Sequence, residues 1–135
     1  TNKTLISLSG AIEMEISNMD IDEQKDFLLE YGLKESGLNR MIRYAYKTLQ
    51  LETYFTAGPK EVRAWSIKKG SKAPQAAGVI HSDFERGFIK AETYTIDDLV
   101  KYKNELEIKN AGQLRQEGKD YIVKDWDIIF FKFNV

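Results

Sequence analysis

The spacing of apolar residues divides the chain into a helical first part and a strand-rich second part. Leu5–Leu8 is a short apolar run that stops before Ser9 and Gly10, which predicts a buried strand followed by a turn. From residue 11 to residue 50, apolar side chains recur every three to four positions, which is the period of an amphipathic helix. The pattern therefore predicts one strand and three helices over residues 1–50.

Capping residues give these helices their ends. Asp20 stands three residues before Glu23, a spacing typical of a helix start, and Gly32 is a favoured residue just after a helix end. Another helix begins near Ser36 and carries an apolar stripe formed by Leu38, Ile42, Ala45 and Leu49. Fifty residues are marginal for an independent core, so we expect this part to expose an unusual amount of apolar surface or to self-associate.

After Leu51 the apolar period changes to two, as in β-strands. The predicted strands are Tyr54–Ala57, Val62–Ile67, Phe88–Tyr94, Tyr121–Val123 and Ile128–Phe133, the first two joined by a turn at Gly58 and Pro59. Short helices are predicted over Ala73–Val79 and after Thr95. The last strand is apolar on both faces, so we expect it in the middle of a sheet that is covered on both sides. The pattern as a whole is typical of an α+β protein.

Composition removes several kinds of chemistry. The 135 residues include no cysteine and one histidine, which excludes disulfide scaffolds, thiolate metal sites, cysteine nucleophiles and any mechanism that needs two imidazoles. The longest fully apolar run has about four residues, whereas a membrane-spanning helix needs about 20. We expect no membrane contact through these residues and no metal site.

The net charge of −1 hides a basic segment in the middle of the chain. Residues 57–90 carry seven basic and three acidic side chains, while the segments before and after them are acidic. The basic residues are Lys60, Arg63, Lys68, Lys69, Lys72, Arg86 and Lys90. Cations beside the aromatic ring of Trp65 suit phosphate contact with base stacking, and they equally suit an ordinary solvated turn.

No catalytic group emerges from the motifs. The phosphate-binding loop is absent, since the pair Gly118-Lys119 is followed by Asp120 where that loop has Ser or Thr. His81 lies two residues before Asp83, but such neighbours rarely face each other, which favours a structural histidine. Asp97 and Asp98 form a carboxylate pair that helix capping explains without chemistry.

Long ungapped stretches resemble the C-terminal part of the YchF-type, Obg-like P-loop ATPases. They are Tyr54–Trp65, Lys72–Glu92, Glu117–Val123 and Phe133–Val135, with Ser36–Asn39 similar to the start of the last helix before that part. The resemblance implies that residues 51–135 form a TGS domain, a β-grasp fold like that of ubiquitin. It implies that residues 1–50 are a strand and helices left over from an α/β P-loop nucleotide-binding domain. Where the family has a turn glycine, this chain has Trp126, whose ring we expect to be exposed.

The same resemblance implies ligands and partners. The family's whole proteins bind ATP or GTP with Mg²⁺, associate with ribosomes and work in the cytoplasm. By this reading the chain is a C-terminal fragment without the phosphate loop, without a cofactor of its own, and not an enzyme by itself. Ser9, Gly10 and Ala11 correspond to the last nucleotide-contacting loop, with Gly10 in place of the family's usual alanine.

Two functions follow as hypotheses. In the first, the TGS domain is a ribosome- or RNA-binding module that uses the basic segment. In the second, it is a regulatory and structural domain that packs on the upstream nucleotide-binding domain and touches no nucleic acid. A contiguous exposed basic face favours the first hypothesis, and internal pairing of the cations favours the second.

We predict that the 135-residue chain binds ATP weakly, because it lacks the backbone donors and the lysine that hold a triphosphate. Calorimetric titration with ATP and Mg²⁺ should give a dissociation constant weaker than about 0.1 mM. A tighter constant, with heat that saturates at one nucleotide per chain, would contradict the assignment.

Overall fold

The structure is a computed structural model that describes residues 5–58 and 61–134. The helices are α1 (Gly10–Ser17), α2 (Ile21–Glu30), α3 (Gly37–Thr48), α4 (Ala73–Ile80), α5 (Ser82–Arg86), α6 (Ile96–Tyr102) and α7 (Glu105–Asn110). The strands are β1 (Leu51–Ala57), β2 (Val62–Lys68), β3 (Phe88–Thr95), β4 (Arg115–Glu117) and β5 (Asp127–Phe133). The chain divides after Leu49 into two compact units, the first helical and the second built on the sheet.

Side-chain caps hold the helices of the first unit. Asp20 accepts hydrogen bonds from the amides of Asp22 and Glu23, and Glu23 accepts one from the amide of Asp20, so the predicted capping box is confirmed. The Glu13 carboxylate on α1 accepts a hydrogen bond of 2.7 Å from the amide of Gly37 at the start of α3. A Cβ at Gly37 would lie 2.6 Å from the Cβ of Leu8, so only glycine allows this close packing.

The strand predicted over Leu5–Leu8 is wrong. These residues adopt no regular structure, and Leu5 is 94% exposed. A strand needs a neighbouring strand to satisfy its amides and carbonyls, and the described part of the first unit is otherwise helical. The apolar run predicted a buried strand, but the described residues of this unit contain no sheet that it could join.

The first unit exposes much of its apolar surface, as predicted. Within residues 5–49, Ile16 is the one large apolar residue that is fully buried. In the stripe of α3, Leu38 is 49% exposed and Leu49 64% exposed. The described residues of this unit therefore bury almost no apolar core of their own.

The second unit contains one five-stranded sheet in the order β2-β1-β5-β3-β4. β1 and β2 form an antiparallel hairpin, β5 pairs antiparallel with β3, and β4 pairs antiparallel with β3. β1 and β5 are parallel, with Phe55 opposite Ile128. The prediction that the last strand lies in the middle of the sheet is confirmed.

Each face of the sheet has its own apolar cluster. On the first face, Tyr54, Ile67, Ile129 and Phe131 pack with the alanines of α4. On the second face, Ile128 and Tyr94 pack under α6 and α7 around the fully buried Ile108. The second face is covered only in part, because Phe130 is 52% exposed; here the expectation of cover along the whole strand is wrong.

Tyr121–Val123, predicted as a strand, forms a single bridge between Ile122 and Lys72. The pairing stops there because the amide of Ala73 donates to the carbonyl of Tyr121 and the amide of Val123 donates to the carbonyl of Ser71, and α4 begins at Ala73. Asp127 is buried and accepts hydrogen bonds from the Tyr121 hydroxyl at 2.6 Å and from the amide of Lys124 at 3.0 Å, which folds the segment into a tight loop. At the end of this loop, Trp126 has a φ of 70°. Its ring is 58% exposed, which confirms the expectation drawn from its place in the turn.

Tyr54 joins the sheet to α4. Its hydroxyl donates a hydrogen bond of 2.8 Å to the carbonyl of Ala76, and its ring meets Phe131 edge-on at 5.8 Å. Burial raises the pKa of the Tyr54 phenol well above its ordinary value. Because the folded-state pKa is raised, the stability linked to this group is present below the unfolded pKa of about 10 and is lost as the pH rises above it.

We predict that Tyr54→Phe lowers the free energy of unfolding at pH 7 by about 1 kcal/mol, the usual cost of one buried hydrogen bond. The difference between the two proteins should shrink between about pH 10 and pH 11, because the variant has no phenol to ionise there. Urea denaturation followed by circular dichroism at several pH values measures both effects. A difference that stays constant across this range would show that the Tyr54 phenol is not the linked group.

Candidate nucleic-acid interface

The turn after β2 brings together three of the predicted cations. Lys68 ends β2, Lys69 follows it, and Lys72 is the N-cap residue of α4. The amide of Lys69 donates to the carbonyl of Gln50 at 2.7 Å, and Gly70 takes a φ of 83°, so the turn is fixed by backbone bonds and not by its lysines. All three lysines are exposed.

Two of these lysines face carboxylates of the same unit. The Lys72 ammonium lies 2.7 Å from the Asp120 carboxylate, and this hydrogen bond lowers the pKa of Asp120. The Lys69 ammonium lies 3.8 Å from Glu52. Lys68 makes no ion pair with any described residue. The turn therefore presents three ammonium groups. One makes no ion pair with a described residue, and the other two belong to exposed or partly exposed ion pairs, which contribute little stability.

The remaining predicted cations lie elsewhere. Arg63 is on β2, with its guanidinium carbon 4.4 Å from the centre of the Trp65 ring. Arg86 pairs with Asp83 at the end of α5, and this bond lowers the pKa of the Asp83 carboxyl. Lys90 is on β3, where it contacts Gln116 at 3.0 Å and Glu92 at 3.6 Å.

These positions do not make one basic face. Arg63 shares the first face of the sheet with Trp65, whereas Lys90 shares the second face with Glu92. Lys60 lies outside the described residues. The structure thus brings together Lys68, Lys69 and Lys72, and it separates them from Arg63, Arg86 and Lys90.

Ser9, Gly10 and Ala11 form the exposed start of α1. Ser9 is the N-cap residue, and its hydroxyl makes no capping hydrogen bond. A Cβ at Gly10 would meet no atom within 4 Å, so this position has room for alanine. These residues are exposed, and the carbonyl of Ser9 accepts a hydrogen bond of 3.0 Å from the amide of Glu13.

The catalytic interpretations give way to structural ones. His81 caps α5, because its Nδ1 accepts a hydrogen bond of 3.2 Å from the amide of Asp83. Asp98 forms a capping box with Thr95, whose hydroxyl donates to its carboxylate at 2.6 Å. That hydrogen bond lowers the pKa of Asp98. The structural interpretations of His81 and of Asp98 are confirmed.

A cleft of about 500 Å³ opens beside Trp65 at the edge of the sheet, with Phe131 and Phe133 on its first-face side and Phe130 on its second-face side. Since Phe55 lies opposite Ile128, β1 ends next to Phe130 while β5 continues to Phe133, and the space beside this overhang is the cleft. Its aromatic lining is Trp65, Phe84, Phe130, Phe131 and Phe133. We call this space the aromatic cleft.

Two cations lie over rings of the aromatic cleft. Arg63 covers Trp65, and the Lys132 ammonium lies 4.2 Å from the centre of the Phe130 ring. Phe84 and Phe133 are stacked with their ring centres 3.7 Å apart. Glu61 is the one carboxylate among the described lining residues. Sequence reasoning missed this site, because its walls come from β2, α5 and β5, which are far apart along the chain.

Residues 51–134 match the model of the YchF-GTPase_C family, which is described as a protein of unknown function (DUF933). The chain belongs to this family. The resemblance noted from the sequence is confirmed, and the match covers all five strands of the second unit.

Curated relatives extend the similarity into the first unit. The chain is 55% identical over 131 residues to the "Ribosome-binding ATPase YchF" of Escherichia coli O157:H7, covering 97% of this chain and 36% of that protein. It is 53% identical over 130 residues to "Obg-like ATPase 1" of Xenopus laevis, covering 96% of this chain and 33% of that protein. The chain therefore spans about a third of the length of these relatives.

A solved structure agrees with the fold. The chain is similar to the YchF GTPase of Schizosaccharomyces pombe with a TM-score of 0.86 and 40% identity, covering 97% of this chain and 34% of that one. Both comparisons identify the chain as corresponding to a C-terminal region of a YchF protein. No helix within the described ranges is long and apolar enough to cross a membrane.

Proposed function

We propose that the second unit is a TGS domain with the β-grasp fold and that it serves a YchF-type ATPase as a ribosome- or RNA-binding module. The strand order β2-β1-β5-β3-β4, with a parallel central pair and α4 packed on one face, supports the β-grasp assignment. The relative from Escherichia coli O157:H7 is named a ribosome-binding ATPase, which supports the ribosome as the partner.

The observation that carries this proposal is the basic turn formed by Lys68, Lys69 and Lys72. A rigid turn at the end of a sheet can bring several ammonium groups to one phosphate strand without disturbing the core. Exposed ion pairs such as Lys72–Asp120 exchange readily for contacts with phosphate, because they contribute only about 0–1 kcal/mol. Phosphate contacts of this kind supply most of the affinity of non-specific binding to nucleic acids.

A regulatory and structural role is the second candidate. Lys69, Lys72, Arg86 and Lys90 each pair with a carboxylate of the chain, which is the internal pairing that this role predicts. In this case the second unit would position the nucleotide-binding domain without touching nucleic acid. The salt dependence of binding separates the two roles.

The first unit is, in this proposal, the end of a nucleotide-binding domain. Its exposed stripe on α3 would pack against the rest of that domain, and Ser9, Gly10 and Ala11 would lie near the base of ATP or GTP. The triphosphate and Mg²⁺ would be held by residues outside this chain. Such a protein would work with ribosomes in the cytoplasm.

We predict that replacing Lys68, Lys69 and Lys72 with glutamine weakens binding to ribosomes or RNA and flattens its dependence on salt. Three phosphate contacts on a single strand give a slope of log affinity against log salt of about −2, since each contributes about −0.7. Co-sedimentation of the 135-residue chain with ribosomes over a salt series measures this slope.

The control replaces Lys101, Lys103 and Lys109 with glutamine, which removes the same charge from exposed positions around α6 and α7. The control should bind like the unmodified chain. Equal binding and equal slopes in both folded variants would exclude the basic turn as the contact and favour the regulatory role.

A further inference from the structure

The shape of the aromatic cleft sets the size of its ligand. A volume of about 500 Å³ lies in the range of small-molecule sites. Phe84 and Phe133 are already stacked, with their planes 23° apart, so the wall is formed before any ligand arrives. Phe130 borders the cleft from the second face of the sheet and is 52% exposed, although a large apolar ring on a central strand would usually be covered. The cleft is therefore built for a flat apolar group that inserts from solvent.

The charges around the cleft select an anionic ligand. Arg63 makes no ion pair with any described residue and holds its guanidinium over Trp65. Lys132 lies over Phe130 and shares the Glu92 carboxylate with Lys90, so this group carries two cations for one anion. An aliphatic side chain of a partner protein would gain nothing from these cations. A flat ring joined to phosphates matches both the walls and the rim.

We propose that the aromatic cleft binds an unpaired base of single-stranded RNA that enters at the edge of the sheet. Arg63 on the first face and Lys132 on the second face then contact the phosphates on either side of this base. Glu61, the one carboxylate among the described lining residues, would accept a hydrogen bond from the amino group of a base such as cytosine. This inference rests on the proposed RNA-binding function and gives it a site distinct from the basic turn. Proteins that bind single strands commonly combine stacking rings with a basic groove in this way.

The test uses a fluorescein-labelled cytidine octamer and the 135-residue chain, with binding followed by fluorescence anisotropy. The double variant Arg63→Gln, Phe130→Ala changes the exposed cation over Trp65 and an exposed ring that lines the cleft. Loss of one stacked base alone weakens binding by about 5- to 150-fold, so we expect at least tenfold weaker binding. Wild-type affinity in the double variant would overturn the proposal.

Matched controls remove similar groups outside the cleft. Trp126→Ala removes a ring that is 58% exposed, close to the 52% of Phe130, and Lys109→Gln removes an exposed cation on α7. Each control should change the affinity less than twofold. If the controls lost as much affinity as the cleft variant, any exposed ring or cation would be enough for binding, which contradicts a defined site.

A second measurement needs no change within the cleft. The chain has two tryptophans, so Trp126→Phe leaves Trp65 as the sole tryptophan emitter. Binding of the unlabelled octamer should quench this emission, and cytidine monophosphate should need at least a tenfold higher concentration. Equal potency of the mononucleotide would assign the cleft to free nucleotides and overturn the RNA proposal.

Ribosome co-sedimentation separates this inference from the proposed function. If the unmodified chain binds ribosomes but not the octamer, the ribosome-binding function stands and the cleft inference fails. If the cleft variant loses ribosomes while the unmodified chain ignores RNA, the cleft contacts a protein and the RNA proposal is wrong. If the chain binds neither, the proposed function and the cleft inference both fail.

Discussion

The second unit depends on the insertion of its last strand between two strands made much earlier in the chain. β5 pairs with β1 on one side and with β3 on the other, and it supplies apolar side chains to both faces of the sheet. Ile129 and Phe131 complete the cluster under α4, whereas Ile128 completes the cluster under α6 and α7. Because these contacts join the two ends of the unit, both apolar clusters are complete only when β5 is in place.

The same strand creates the site. Phe55 opposite Ile128 fixes the parallel register, and this register carries β5 beyond the end of β1. Along this stretch Phe131 stays in the core and Phe133 stacks on Phe84 at the cleft wall, while Phe130 borders the cleft from the second face of the sheet. A single choice of register thus determines both the stability of the sheet and the opening of the aromatic cleft.

The sequence alone predicted those structural features that depend on residues close together in the chain. The capping box at Asp20 and the two-faced apolar run of β5 each predicted a feature that the structure contains. The strand at Leu5–Leu8 failed because apolar residues indicate burial without saying whether a partner strand is present. Tyr121–Val123 failed because its backbone pairs with Ser71 and Ala73, where α4 begins and a strand cannot continue, a contact that no period in the sequence reveals.

The candidate site was predictable only in part for the same reason. Charge counting found Lys68, Lys69 and Lys72, which are close in the chain and stay close in the fold. It could not find that Lys72 faces Asp120, 48 residues away, or that rings from three separate elements form one cleft. The candidate site of this unit therefore depends on long-range contacts of β5, which only the three-dimensional fold reveals.

Chemical-shift mapping of the isotopically labelled 135-residue chain with the cytidine octamer tests this account most directly. The largest amide shifts are expected along the cleft, at Trp65, Phe84 and Phe130–Phe133, with smaller shifts at the Lys68–Lys72 turn. Shifts confined to α6 and α7, or to the helices before Leu49, would contradict the claim that the overhang of β5 forms the binding site.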